Sequence, residues 1–210
     1  YQSMKSLDLG NNFDTRSVTN MIEMFKDAGY TAMTTLNLGS MFDTSNVTSM
    51  NSMFKWIALE KLNLRDKFNT SKVTGMNQMF RGIGSSQMTL LNLGDKFYTT
   101  SVTDMSQMFS AIQIDILDLG PAFTKIADTH TDMFGEINTL NTIQASEQIY
   151  LDKNNFKLNT NATTSAIEYT TGTINPKYRT EWVKESSALL EDNTDISKSK
   201  ITITLRGRTN

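Results

Sequence analysis

The chain has no cysteine, two prolines and a single histidine among its 210 residues. Without thiols it has neither a disulfide framework nor thiolate metal ligands, a composition found both in reducing compartments and in many exported bacterial proteins. A catalytic triad or a typical zinc site needs histidine together with further ligands or partners, and His130 has none nearby in the sequence. We therefore interpret His130 as a surface or half-buried structural residue.

Long apolar runs and an excess of one charge are also missing. No stretch reaches the roughly 18 consecutive apolar residues of a membrane span. The 20 lysines and arginines nearly balance the 22 aspartates and glutamates, which disfavours phosphate-driven nucleic-acid binding. There is no glycine-rich phosphate loop, and the one calcium-loop candidate, at Asp152, has Lys157 and Thr163 where glycine and glutamate are needed. We expect no nucleic-acid partner, no membrane span, no metal and no cofactor.

One pattern recurs five times in the chain. The window LNLGSMFDTSNVTSMNSMF, which begins at Leu36, returns with variations from Leu7, Leu62, Leu91 and Leu117. Successive windows begin 26 or 29 residues apart, close to the period of leucine-rich repeats. A single repeat buries too little apolar area to fold alone, whereas stacked repeats share one core. The sequence therefore predicts a stack of about five repeats over residues 1–150.

Each repeat has two kinds of periodicity. Its Leu-x-Leu start alternates apolar and polar residues, which is typical of a strand with one buried face, and parallel stacking of such strands builds a sheet. Further on, Met50, Met53 and Phe54 have helical spacing, which predicts a short helical segment. Thr44 and Ser45 are the expected caps of this segment. The fold class predicted is an α/β repeat, with short parallel strands on one face and short helical segments on the other.

The pattern ends near residue 150. Residues 151–195 are interpreted as a C-terminal cap, in which Pro176 opens a segment with helical spacing. This segment predicts a helix near 176–191. Residues 196–210 alternate like a strand, and they either complete the cap or begin a further module.

The string F-D-T-S-x-V-T-x-M-x-x-M-F, followed by L-x-x-L-N-L, resembles the BspA-like class of leucine-rich repeats found in surface proteins of bacteria and some protozoa. The resemblance covers about residues 1–150. It implies a right-handed solenoid, a secreted or cell-surface location in a bacterium, and adhesion to host proteins, matrix or other cells. Members often have cysteine shortly after Met-Phe; the chain has apolar residues there, such as Ile57 and Ile83. The class has no shared ligand motif, so it assigns no binding residue.

Candidate binding residues come from the outward positions of the predicted sheet. Stacking would align the residues between the paired leucines as a polar ladder of Asp8, Asn37, Asn63, Asn92 and Asp118. We favour a solvated hydrogen-bonding ladder, because polar residues are required on an exposed sheet face. The alternative is a groove for a carbohydrate or an extended peptide.

Basic and apolar residues flank this ladder. Lys61 and Arg65 lie beside it, with Leu90 and Ile116 predicted to be exposed next to them, a combination that would suit a protein partner. Trp56 stands in the turn before the third strand, where it either folds over its neighbours, the favoured interpretation, or anchors a partner. The binding residues predicted are Lys61, Asn63, Arg65, Trp56, Asn37, Asn92 and Asp118.

Three functions are compatible with these features. A non-catalytic recognition module, which binds a protein or glycan on a host or neighbouring cell, is favoured. A stalk, spacer or part of a tail-like assembly is the alternative. A polysaccharide-acting enzyme that uses Asp8 and Asp118 is least favoured. Four strand steps separate these residues by about 19 Å at about 4.8 Å per step, whereas glycosidase carboxylates lie about 5 to 9.5 Å apart.

Overall fold

The computed structural model describes residues 4–30, 33–85, 87–137, 140, 142–146 and 179–183. These residues contain seven strands: β1 (Ser6–Asp8), β2 (Thr35–Asn37), β3 (Lys61–Leu62), β4 (Leu90–Asn92), β5 (Ile116–Asp118), β6 (Thr142–Ser146) and β7 (Arg179–Val183). Strands β1 to β5 overlap the Leu-x-Leu starts of the five repeats. The remainder of the predicted cap and the predicted tail lie outside the described residues.

Parallel pairing joins each strand to the equivalent strand of the next repeat, except at one step. The strands form two sheets, with the orders β1-β2-β3 and β4-β5-β6-β7. Their central residues pair with each other and point into the core: Leu7, Leu36 and Leu62 in the first sheet, and Leu91, Leu117 and Ile143 in the second. β3 and β4 belong to different sheets, so the strand face is interrupted between the third and fourth repeats.

The opposite face differs from the prediction of short helical segments, since the described residues there form consecutive turns. Ser52 and Trp56 have positive φ angles of 57° and 55°, which no α-helix accommodates. Every second backbone N–H from Met50 to Trp56 donates to a carbonyl of the next repeat at 2.8 to 3.0 Å. The intervening N–H groups close local turns, as from Met53 to Met50 at 3.1 Å. Half of the hydrogen bonds that a helix would make internally therefore join neighbouring repeats.

A buried threonine joins consecutive repeats at the corner between the two faces. The hydroxyl Oγ1 of Thr44 donates to the carbonyl of Asn69 at 2.9 Å and accepts from its N–H at 2.7 Å. Thr15 makes the same pair of bonds with Asp43, both at 2.7 Å. Thr44 is thus a bridge between repeats rather than the predicted helix cap. The N–H of Ser45 bonds to Oδ1 of Asp43 at 2.9 Å.

The core is a continuous column of apolar side chains. The phenylalanine that follows methionine at the end of each repeat's pattern stacks on that of the next, with ring centroids 5.4 to 5.8 Å apart, in the order Phe25, Phe54, Phe80, Phe109 and Phe134. The methionines at helical spacing are also buried, including Met50 and Met53. Each such side chain contributes about 1.5 to 3 kcal/mol through burial. The core therefore continues past the step where the sheet is interrupted.

The described part of the C-terminal region contradicts the predicted helix over five of its residues. Arg179–Val183 form β7, which pairs antiparallel with β6, and Ile143 lies opposite Trp182. A β-branched and aromatic run suits a strand, and the last parallel strand offers it an unpaired edge. Helical spacing alone did not distinguish the two structures.

Candidate binding groove on the strand face

Each of the first five strands leads into the same polar turn. Oδ1 of Asn37 accepts from the N–H of Gly39 at 3.1 Å, and Oδ1 of Asn92 accepts from the N–H of Gly94 at 2.7 Å. The equivalent side chains of Asp8, Asn63 and Asp118 accept from the residue two positions later in the same way. This local bond favours a turn, so the repeated Asp and Asn have a structural role.

The same side chains also bond between repeats, in two separate pairs. Nδ2 of Asn37 donates to Oδ1 of Asp8 at 3.0 Å, and Nδ2 of Asn92 donates to Oδ2 of Asp118 at 3.0 Å. Among the described residues, Asn63 bonds to the side chain of neither Asn37 nor Asn92. The predicted polar ladder is therefore interrupted at the third repeat.

Arg65 marks the interruption, because it replaces a glycine. The turn after the strand ends in a residue with positive φ, which is glycine in four repeats: Gly10, Gly39, Gly94 and Gly120, with φ of 68° to 77°. The third repeat reads LNLR, and Arg65 has a φ of 61°. A left-handed conformation costs a residue with a side chain about 1 to 2 kcal/mol.

The glycine is needed because consecutive turns approach closely. A Cβ atom on Gly39 would clash with the carbonyl oxygen of Gly10, and one on Gly120 would clash with that of Gly94. Arg65 has this Cβ, so the second and third repeats cannot close fully at the same place. Accordingly, β2 and β3 pair over two residues, whereas β1 and β2 pair over three.

The interruption removes specific backbone hydrogen bonds. In closed steps the N–H of Leu9 donates to the carbonyl of Asn37 at 3.0 Å, and that of Leu93 to the carbonyl of Asp118 at 2.9 Å. The equivalent bonds, from Leu38 to Asn63 and from Leu64 to Asn92, are not formed between these described residues. A Cβ on Gly94 would meet nothing within 4 Å. The strand face is therefore open between the third and fourth repeats.

Intact bonds confine the opening to this face. Before the strands, Oγ of Ser85 donates to the carbonyl of Leu59 at 3.2 Å. After them, the N–H of Thr70 donates to the carbonyl of Lys96 at 3.1 Å. On the turn face, repeats three and four are joined as elsewhere, for example from Met76 to Asp104 at 3.0 Å. The result is a framed groove rather than a break through the stack.

The groove has a volume of about 920 Å³ and runs between residues 60–66 and 89–96. Its base is apolar and buried, formed by Leu62, Leu64, Phe68 and Leu93. Leu90 adds an exposed apolar side chain, 43% accessible. Its rim has three cations and three anions: Glu60, Lys61, Arg65, Asp66, Asp95 and Lys96. Among the described residues none of these six forms an ion pair, so their charges are available to a ligand.

The structure brings four of the seven predicted binding residues into this groove: Lys61, Asn63, Arg65 and Asn92. Asn37 lies behind it and holds Arg65, whose Nη2 donates to Oδ1 of Asn37 at 2.7 Å. Asp118 is 3% exposed and supports Asn92 from the next repeat. Sequence reasoning missed Glu60, Asp66, Asp95 and Lys96; the replacement of glycine in LNLR is the signal that could have located them. Their part in binding stays a prediction.

Trp56 lies elsewhere and is not among the residues that line the groove. Its ring packs over Gly82, where a Cβ atom would clash with it. The Cζ atom of Arg81 lies 5.6 Å from the Trp56 ring centroid, and Tyr30 meets it edge-on at 5.9 Å. Nearby, burial and the charge of Arg81 lower the pKa of Lys55. Trp56 therefore packs against the stack, as the favoured interpretation expected. Its contacts are Gly82, Arg81 and Tyr30 rather than its neighbours in the sequence.

The histidine and the acidic residues of the chain are the remaining candidates for chemistry. His130 is half-buried, and its Nδ1 lies 2.7 Å from the carbonyl oxygen of Ala127. No three His, Cys, Asp or Glu residues of the described part are grouped so as to hold a metal ion. Within those same ranges, no helix has the length and apolar character needed to cross a membrane.

Comparison with known proteins identifies one family. The model of the family described as "Mycoplasma protein of unknown function, DUF285" matches residues 2–63, 29–146 and 57–172. Matches that overlap in this way are expected of a chain built from repeats. No curated protein and no solved structure matches the chain.

Proposed function

The chain belongs to this bacterial family of repeat proteins, and from that premise we propose that it is a non-catalytic recognition module on the surface of a bacterium or secreted by it. Its partner is a protein or glycan of a host or neighbouring cell, and binding mediates adhesion. We further propose that the stack is a right-handed leucine-rich-repeat solenoid of the BspA-like class. The parallel pairing of β1–β3 and of β4–β6 supports this fold.

One observation carries the functional proposal: in the described part of the chain the strand face is open between the third and fourth repeats, beside Arg65, and the charges that line the opening form no ion pair there. At this place the third repeat has Arg65 where four other repeats have glycine. An exposed apolar residue within a polar rim has the composition of a protein interface.

A spacer is the second candidate, and the turn face favours it. Isolated parallel β-bridges connect all five repeats there without interruption, through Asn20, Ser49, Gly75, Asp104 and Thr129. The phenylalanine column is equally continuous. Such a stack would hold another domain away from the cell wall or contribute to a tail-like assembly, and its outer faces would need no ligand.

The experiment that separates the two is a binding screen of the chain against host matrix proteins and a glycan array. A groove variant, K61A/R65A, is compared with a matched control, R16A/K72A. Like the groove variant, the control loses one lysine and one arginine, but from exposed positions outside the groove.

Saturable binding that falls at least tenfold in K61A/R65A and persists in R16A/K72A would support recognition through the groove. Equal losses in both variants would indicate general charge attraction and overturn the site. The absence of binding to every ligand would favour the spacer, for which deletion of residues 36–90, two whole repeats, should shorten the particle in small-angle scattering.

A further inference from the structure

We propose that the groove beside Arg65 binds an extended peptide segment of a partner protein, of at most about six residues, which lies along β3 and β4. The inference rests on the proposed recognition function and names the class of ligand. Its grounds are the unpaired backbone groups of the groove, its length, and the distribution of its charges.

The open step offers one backbone donor and one backbone acceptor to a ligand. In a closed step the N–H of Leu64 and the carbonyl of Asn92 would bond to each other, as those of Leu93 and Asp118 do at 2.9 Å. Within the described residues neither group has another hydrogen-bond partner. Each residue of a peptide carries both an acceptor and a donor, so the backbone of the ligand satisfies both. Extended peptides are commonly bound through such main-chain bonds.

The segment lies over the opening and does not insert as an additional strand. β3 and β4 have Cα atoms within 8 Å of each other. A strand inserted between them would need two spacings of about 4.8 Å, or about 9.6 Å. The backbone of the ligand therefore remains on the outer surface, where separate amides turn a carbonyl towards the N–H of Leu64 and an N–H towards the carbonyl of Asn92.

The walls limit the ligand's length. Each wall consists of about seven residues, 60–66 on one side and 89–95 on the other. At about 3.3 Å per residue an extended chain covers roughly 20 Å over such a wall, and less where the wall turns at Arg65. Six extended residues are therefore the longest segment that contacts the groove throughout.

The charges and apolar contacts define the sequence that fits. Both ends of the groove have charges of both signs: Glu60 and Lys61 at one, and Arg65, Asp66, Asp95 and Lys96 at the other. Leu90 precedes Leu91 in β4 as Lys61 precedes Leu62 in β3, so its exposed side chain lies at the same end of the groove as Lys61. The complementary segment has an apolar side chain near one end and charged side chains near both ends. Among the lining residues the aromatic ring is that of Phe68, which is 2% exposed, so a sugar finds no ring on which to stack.

The test is selection of phage-displayed random hexapeptides on the wild-type chain, with the K61A/R65A variant for counter-selection. K61A/R65A removes two cations of the rim and is expected to remain folded, which its urea unfolding curve checks. Enriched peptides are then titrated into ¹⁵N-labelled protein, and the amide resonance of Leu64 is followed. A maltohexaose titration tests a glycan in the same groove.

We expect enriched hexapeptides to share an apolar residue near one end, to shift the Leu64 amide, and to bind K61A/R65A at least tenfold more weakly than the wild type. Peptides that bind both proteins equally, or that leave the Leu64 amide unchanged, would overturn the proposal. So would a saturable shift of that amide by maltohexaose alone. If a matrix protein or glycan binds but no groove peptide is selected, the peptide inference fails and the recognition function stands. If groove peptides are selected but no matrix protein or glycan binds, the peptide inference stands and the proposed recognition of a host ligand fails.

Discussion

Replacement of Arg65 by glycine tests why the second and third repeats do not close fully. The Cβ atom of Arg65 occupies the position equivalent to Gly39, where a Cβ atom would clash with the preceding repeat. R65G removes the Cβ atom, so the step between the second and third repeats should close. R65A keeps the Cβ atom and removes the guanidinium, so this step should remain partly open. The two variants separate the shape of the backbone from the charge of the side chain.

The expected change in the free energy of unfolding follows from four contributions. Relief of the left-handed conformation gains about 1 to 2 kcal/mol. One restored hydrogen bond, Leu38 to Asn63, gains about 1 kcal/mol. The greater freedom of glycine in the unfolded chain costs about 0.5 to 1 kcal/mol, and loss of the exposed bond to Asn37 costs less than about 1 kcal/mol. R65G is therefore stabilised by roughly 1 kcal/mol, which raises the Tm by about 2 to 4 °C in a chain of this size.

The assay is urea unfolding combined with amide hydrogen exchange of the wild type, R65A and R65G. In R65G we expect a higher urea midpoint and slower exchange of the Leu38 amide, whereas in R65A this amide should exchange as fast as in the wild type. Equal exchange of the Leu38 amide in R65A and R65G would show that the Cβ atom does not hold the second and third repeats apart.

Three further predictions concern other parts of the stack. G39A should be at least about 2 kcal/mol less stable than G94A in urea unfolding. In both variants alanine adopts a positive φ, at a cost of about 1 to 2 kcal/mol, but the new Cβ atom clashes only at Gly39. Equal losses of stability would refute the close approach of the turns at Gly39. T44V should lose about 2 to 4 kcal/mol because it leaves the N–H and carbonyl of Asn69 buried without their partner, and T44S, which keeps the hydroxyl, should lose much less. The pKa of Asp14 is lowered to about 2 by a hydrogen bond from the guanidinium of Arg16. The contribution of Asp14 to stability is therefore present above pH 3.8 and is lost as the pH falls towards 2. D14N should lose less stability across that pH window in urea titrations, and an NMR pKa of Asp14 near 3.8 would contradict this.

The strand face could be predicted because a strand's burial repeats every two residues. The Leu-x-Leu starts of the repeats alternate in this way, and the parallel strands lie there. The turns of the opposite face could not be predicted, because Met50, Met53 and Phe54 are buried side by side in turns just as they would be in a helix. What differs is the sign of φ at Ser52 and Trp56, positions where neither side chain signals a left-handed conformation.

The groove was partly predictable from the residue types of the outer face. Lys61, Asn63, Arg65 and Asn92 were selected as outward-facing residues, and all four line it. That they line an opening was not predicted, because it depends on how closely consecutive turns approach. The replacement of glycine by Arg65 could have indicated this.

The most direct test of the central claim is the dissociation constant of the wild type and K61A/R65A for whichever matrix protein or glycan binds most strongly in the screen, with R16A/K72A as control. If the groove beside Arg65 is the binding site, K61A/R65A should bind at least tenfold more weakly, and the control should bind like the wild type. Binding by K61A/R65A at the wild-type affinity, with the variant shown to be folded by urea unfolding, would contradict this claim.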